Sequence, residues 1–220
     1  MNKYKIFVAV DTTKISKVKE IIKKTQNPKL KIGYKFGLEF FNSKNGRQYI
    51  SNLRNKIIFA DLKLNDIPNT MLSTVKALKD LKINYLTVHI SSGIDALKAV
   101  KKVAGRIKIV GVTTLTSLND KDLKIVGYNK SVKKLVLHQA KLANKTKLDA
   151  LVCSPYEVQI VKKIFNKEII TPGIKLKKNN FDQKRTMKPD LVKSDWIVVG
   201  RSVTRNNIKK NFKELLKVIN

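Results

Sequence analysis

At 220 residues and 42% apolar content, the chain is long enough to bury one full core and has the composition of a globular protein. Its net charge of +31 rests on 47 basic residues, only six of them arginine (47, 54, 106, 185, 201 and 205), which leaves 41 lysines. Lysine is spread along nearly every polar stretch, as in Lys17, Lys19, Lys23, Lys24, Lys133, Lys134, Lys141 and Lys145, rather than clustered with arginine; this pattern favours solvated helix faces over a dedicated nucleic-acid surface, although the charge attracts anions at long range.

The chain opens MNKYKIFVAVD, whose apolar stretch is too short for a signal peptide, and no later run approaches the ~20 apolar residues of a membrane span. A soluble, cytoplasmic protein without a membrane partner is expected. Short β-branched runs follow at Ile6–Asp11, Leu30–Phe36, Lys56–Lys63, Tyr85–Ile90, Ile107–Thr114, Ala150–Ser154, Ile169–Ile174 and Trp196–Gly200. Between them, apolar residues recur at helical spacing: Ile15, Val18 and Ile22; Leu72, Val75, Leu78 and Leu81; Ile94, Leu97 and Val100; Val132, Leu135 and Val136. Ser154-Pro155-Tyr156-Glu157 reads as a capping box opening the helix after the sixth strand. The last helix carries Ile208, Phe212, Leu215, Leu216 and Ile219. Cys153, in ALVCS, is the single cysteine; it excludes an internal disulfide, fits a reducing cytosol and reads as a small buried apolar residue. With no linker, low-complexity tract or break in composition, residues 1–220 are expected to form one domain.

Eight strand–helix units predict a (β/α)₈ TIM barrel, with an open doubly wound sheet as the weaker alternative. Chemistry in such barrels gathers at the C-terminal ends of the strands. Asp11 ends the first predicted strand, Lys35 the second, and Asp61 and Lys63 the third; His89 lies near the end of the fourth, Thr116 follows the fifth, and Gly200-Arg201 ends the eighth. Strand alternation puts Asp61 and Lys63 on one face, with Asp66 just beyond in the loop. Such a group is either a surface ion-pair cluster or a proton-handling site, and the acids and lysines collected on one rim favour a site. Thr171-Pro172-Gly173-Ile174 and Val199-Gly200-Arg201-Ser202, ending strands seven and eight, suit a phosphate. Glycine allows close backbone approach there, and arginine a bidentate grip. His89 and His138 are isolated, so no ligand cluster points to a metal.

DLKLNDIPNT at 61–70 resembles the D-x-K-x-x-D-I-x-x-T signature of orotidine 5′-monophosphate decarboxylases. The resemblance continues through VAVD (8–11), YKFGLEFF (34–41), VHISSG (88–93), LTS (115–117), VCS (152–154), TPGI (171–174), DQ-x-R (182–185) and VVGRSVT (198–204). It implies decarboxylation of orotidine 5′-monophosphate to UMP and CO₂ in de novo UMP synthesis, without metal or cofactor. Carried over residue by residue, it implies Lys63 as proton donor to C6 and Asp61 beside the substrate carboxylate. Asp66 and Thr70 would reach in from the partner of a homodimer, and Lys35 would complete the charged array. Asp11 and Lys35 would hold the ribose, Thr116 would contact the pyrimidine, and Gln183, Gly200 and Arg201 would hold the phosphate. Lys175 stands where many bacterial members have arginine, and by the same resemblance the following LKKNNF would be a slightly short lid loop. The rival readings are a magnesium-dependent sugar-phosphate decarboxylase or aldolase of the same superfamily, and a basic nucleic-acid-binding protein.

Overall fold

The computed structural model describes residues 5–176 and 187–219. In chain order the elements are β1 (Lys5–Val10), α1 (Ile15–Lys24), β2 (Ile32–Gly37), α2 (Leu38–Phe41), α3 (Gly46–Asn52), β3 (Ile57–Leu64), α4 (Pro68–Ala77), β4 (Tyr85–His89) and α5 (Ile94–Val103). They continue with β5 (Lys108–Val112), α6 (Asp120–Ile125), α7 (Val132–Lys145), β6 (Ala150–Val152), α8 (Val158–Lys162), β7 (Glu168–Ile174), β8 (Trp196–Val199), α9 (Arg201–Thr204) and α10 (Ile208–Ile219). The strands form a closed parallel barrel in sequence order, shut by β1 pairing with β8 from Lys5↔Trp196 to Val8↔Val199. This is the (β/α)₈ barrel expected from the strand–helix alternation, and the open sheet is ruled out by that closing pair. Among the described residues no helix is long and apolar enough to cross a membrane.

Two apolar layers follow from the two faces of each strand. Outward-facing residues such as Ile6, Val8, Leu86, Val88 and Ile197 pack under the helices, which bury Val18, Val75, Leu97, Val136 and Leu215 against them. Inward-facing residues Phe7, Phe59, Tyr85, Val110, Ile170 and Trp196 fill the barrel interior. Gly33 makes room for this filling: a Cβ there would lie 2.5 Å from the Phe7 ring.

One local feature departs from the sequence expectation. The segment after β6 begins its helix at Val158, and Ser154 Oγ donates to the Glu157 carboxylate within a preceding turn, so the expected capping box is not what opens α8. A capping box does open α6, where Asn119 and Asp122 exchange side-chain and backbone hydrogen bonds at 3.0 and 2.8 Å. Between β2 and β3 the chain forms two short helices, and Gly46 at the start of α3 packs on the Phe40 carbonyl, where a Cβ would stand 1.7 Å away.

Candidate active site

The C-terminal ends of the strands surround a cavity of about 280 Å³. Asp11, Lys35, Asp61, Lys63, Thr116, Lys175, Gly200 and Arg201 all line it, over a floor that includes Ala9, Phe59, Val112, Val152, Cys153 and Val198. Cys153 is fully buried, as a small core residue would be. Asp66 and Thr70 are exposed and outside this lining. Asp66 Oδ1 accepts the Ile67 N–H at 2.7 Å, and Ile67 itself is 66% exposed. Gln183 and most of the predicted lid lie outside the described residues.

One carboxylate organises the charged wall. Asp61 Oδ1 accepts from Lys63 Nζ at 2.9 Å, and Oδ2 accepts from Lys35 Nζ at 3.0 Å. Lys35 Nζ also stands 3.9 Å from Asp11 Oδ1, which ties the first three strands into one electrostatic row. Burial by itself would push the Asp61 pKa up, but the charges and hydrogen bonds of Lys35 and Lys63 outweigh it and bring it from 3.8 to about 2. Burial likewise opposes the charge on Lys35, yet the Asp61 and Asp11 carboxylates and the bond to Asp61 raise its pKa. Asp61 is therefore an anion and Lys35 a cation at neutral pH. His89 is pushed the other way, its pKa lowered by burial and then by the Lys63 charge.

Asp61 and Lys63 share the cavity wall, but not by plain strand alternation. The β3–β4 register shifts between Ala60 and Leu64, and Lys63 adopts φ +49°. A non-glycine residue in this region is uncommon and is held there by its surroundings. The surroundings include Thr87 on β4, whose Oγ1 accepts the Lys63 N–H at 2.8 Å and donates to Asp61 Oδ1 at 3.2 Å. Sequence reasoning missed Thr87, because a threonine inside a β-branched run carries no signal of its own.

The end of the cavity where a phosphate is expected is built by β7 and β8. Beyond Thr171-Pro172-Gly173, the Lys175 N–H donates to Met187 O at 3.2 Å, and the Met187 N–H donates to Gly173 O at 3.1 Å. Met187 is thereby paired with the end of β7. At the top of β8, a Cβ on Gly200 would make only ordinary contacts, 3.7 Å from Ala9 and Asp11, so the glycine leaves its backbone open toward the cavity. Helix α9 starts immediately after it with Arg201. The residue Ser202 also lines the cavity, and its Oγ is buried with no hydrogen-bond partner among the described residues.

This barrel and its charged rim can be set beside known proteins. A model of the orotidine 5′-phosphate decarboxylase / HUMPS family matches residues 4–213. The chain belongs to that family. It is 41% identical to the orotidine 5′-phosphate decarboxylase of Wolbachia pipientis subsp. Culex pipiens (strain wPip) over 221 residues, covering 96% of each chain. Against the enzyme of the same name from the Wolbachia of Brugia malayi (strain TRS), it is 40% identical with the same 96% coverage of each. The crystal structure of orotidine 5′-phosphate decarboxylase from Lactobacillus acidophilus superimposes with a TM-score of 0.82 at 31% identity, covering 99% of each chain. At 23% identity and a TM-score of 0.80, the enzyme from Methanocaldococcus jannaschii, solved with inhibitor BMP, shares the fold across 99% of each chain.

Proposed function

We propose that this chain decarboxylates orotidine 5′-monophosphate to UMP and CO₂, without metal or cofactor. The observation that carries the reading is the Lys35–Asp61–Lys63 row, held at 2.9 and 3.0 Å on the wall of a cavity whose rim also carries Gly200 and Arg201. Cleavage of the bond between C6 and its carboxylate leaves the electron pair on C6, which the pyrimidine ring delocalises poorly. A fixed cation beside C6 stabilises that pair as it develops, and Lys63 then delivers a proton to C6 as CO₂ departs. Asp61 aims Lys63 through their hydrogen bond and presents negative charge toward the leaving carboxylate. Asp11 and Lys35 hold the ribose hydroxyls, and Thr116 meets the pyrimidine. Gly200 and Arg201 grip the phosphate with Gln183, and Lys175 extends the cationic side of that end. Phosphate binding far from C6 supplies energy that orders the charged row for the chemical step.

The finer proposal is a homodimer in which Asp66 and Thr70 complete the neighbour's site. It is supported by their exposure beside the exposed Ile67, at the start of α4. Mixing Lys63→Ala with Asp66→Ala tests it. Each is inactive alone, whereas the mixed dimer has one doubly defective site and one intact site, with at most about half of the wild-type activity. No recovery after proven subunit exchange would place Asp66 in its own chain's service.

The deciding experiment for the reaction is an absorbance assay with orotidine 5′-monophosphate in the presence of a chelator. Turnover is expected. Folded protein that does nothing under these conditions, but acts on a sugar phosphate once magnesium is added, would favour the magnesium-dependent reading. The relatives at 40–41% identity carry the name of the nucleotide enzyme and lend that alternative no support.

A further inference from the structure

We propose that Thr87 is a positioning residue for the Lys63–Asp61 pair: its hydroxyl clamps the left-handed turn at Lys63 and orients the carboxylate that both lysines share. The inference rests on the decarboxylase reading of the cavity and assigns a role to a side chain that does not line it.

The geometry starts from a mismatch between two strands. β3 and β4 pair at Ala60↔Leu86 and again at Leu64↔Val88, so Asp61, Leu62 and Lys63 stand opposite Thr87 alone. Such a bulge removes the ladder partners of the extra residues and re-aims their side chains. The Lys63 N–H, carried out of the ladder by φ +49°, is taken instead by Thr87 Oγ1 at 2.8 Å. The same oxygen has one hydrogen to give, and it goes to Asp61 Oδ1 at 3.2 Å, the oxygen that also receives Lys63 Nζ at 2.9 Å. Thr87 Oγ1, Asp61 Oδ1 and Lys63 thus form a closed ring of three hydrogen bonds, which couples the backbone of the lysine to the direction of its ammonium group. Thr87 is fully buried, and Tyr85, two residues earlier on the same strand, faces the barrel interior. The alternation that puts Tyr85 inside therefore aims the Thr87 hydroxyl at the top of that interior. A side chain serving packing alone would need no hydroxyl at this point, and valine has the same shape.

The test compares Thr87→Val, Thr87→Ala and Thr87→Ser with the wild-type protein, assaying orotidine 5′-monophosphate turnover and UMP binding well below each unfolding midpoint. Thr87→Val is expected to lower kcat by roughly ten- to a hundredfold, the scale of a lost hydrogen bond and a misaimed catalytic group. UMP affinity is expected to stay within about threefold, because the phosphate is gripped elsewhere, and Thr87→Ser is expected to recover most of kcat by restoring both hydrogen bonds. Thr87→Ala carries the same test should valine not be accommodated. Amide hydrogen exchange at Lys63 supplies a readout independent of activity: it should quicken in the apolar variants and not in the serine variant. Wild-type kcat in Thr87→Val, a serine variant as slow as the valine one, UMP affinity falling in step with kcat, or failure of both apolar variants to fold would each overturn the role. A wild-type protein that turns over nothing would instead sink the decarboxylase reading, while the exchange measurement would still report on the clamp.

Discussion

The two ends of the barrel carry the same charges for opposite ends. At the top, Asp61 lies between Lys35 and Lys63; at the bottom, Glu168 lies between Lys5, at 3.0 Å, and Lys108, at 2.8 Å. At the bottom the carboxylate also accepts from Tyr85 Oη at 2.9 Å and Trp196 Nε1 at 3.3 Å. Behind it Phe7 stacks on Trp196 with ring centres 4.0 Å apart, and Phe59 and Tyr85 meet the Phe7 ring at tilted and edge-on angles. Burial pushes the Glu168 pKa up, but hydrogen bonds from Lys108, Lys5 and Tyr85 and the charge of Lys108 outweigh it and bring it from 4.5 to about 2. The bottom cluster is thus satisfied by fixed donors and seals the aromatic layer. At the top, the lysines face a cavity of about 280 Å³, and Lys63 Nζ has Asp61 as its one hydrogen-bond partner among the described residues, leaving donors for a substrate. A carboxylate between two lysines is therefore a plug or a site according to what surrounds it.

The largest effect expected from breaking this comparison is at the top. Lys63→Ala should cut kcat by at least about a thousandfold, the scale of a lost acid and electrostatic stabiliser. The protein should stay folded and still bind UMP, since the phosphate end is untouched. Decarboxylation assays and UMP titration check this, and activity above about a tenth of wild type would remove Lys63 from its role.

Arg201→Ala comes next. If Arg201 grips the phosphate as proposed, its loss should lower the nucleotide's kcat/KM by about a hundredfold. The nucleoside orotidine, which has no phosphate, should lose little of its residual turnover. Equal fractional losses with both substrates would place Arg201 elsewhere in the reaction.

Glu168→Gln probes the bottom, where the readout is stability rather than rate. The folded pKa of Glu168 lies below its ordinary value, so its contribution is complete above 4.5 and is lost as the pH falls toward about 2. The wild-type protein should thus lose up to about 3 kcal/mol across that window from this residue alone. In Glu168→Gln the loss should be smaller, with stability at neutral pH lower by about 1–3 kcal/mol and kcat unchanged. Urea unfolding at pH 6 and pH 3 measures both. Parallel acid losses in the two proteins would mean that the plug is not held by charge.

The smallest effect is expected from Lys108→Ala. The Lys108 side chain is 46% exposed and reaches solvent easily, so its ion pair should contribute no more than about 1 kcal/mol. Turnover should stay within about threefold of wild type, in contrast to the lysine at the other end of the barrel. A large loss of activity would connect the two ends and undo the comparison.

Much of this molecule was decided locally. The short β-branched runs and the helical spacing between them place all eight strands, with ends no more than two residues from the folded ones. Once the strands are in place, Asp11, Lys35, Asp61, Lys63, Gly200 and Arg201 must sit at one end of the barrel, because each falls at the C-terminal end of its strand. Other features depend on closure and register. The bulge that turns Lys63, the reach of Thr87 to a carboxylate 26 residues away and the meeting of Glu168 with Lys5 across 163 residues arise only when neighbouring strands slide into the offset that fills both faces of the sheet. Alternation tells a residue which face it takes, but not which residue it meets there, and the charges alone could not distinguish the plug from the site. That difference is set by the packing around them: aromatic rings and fixed donors close one end, and the cavity at the other leaves the lysines room for a ligand.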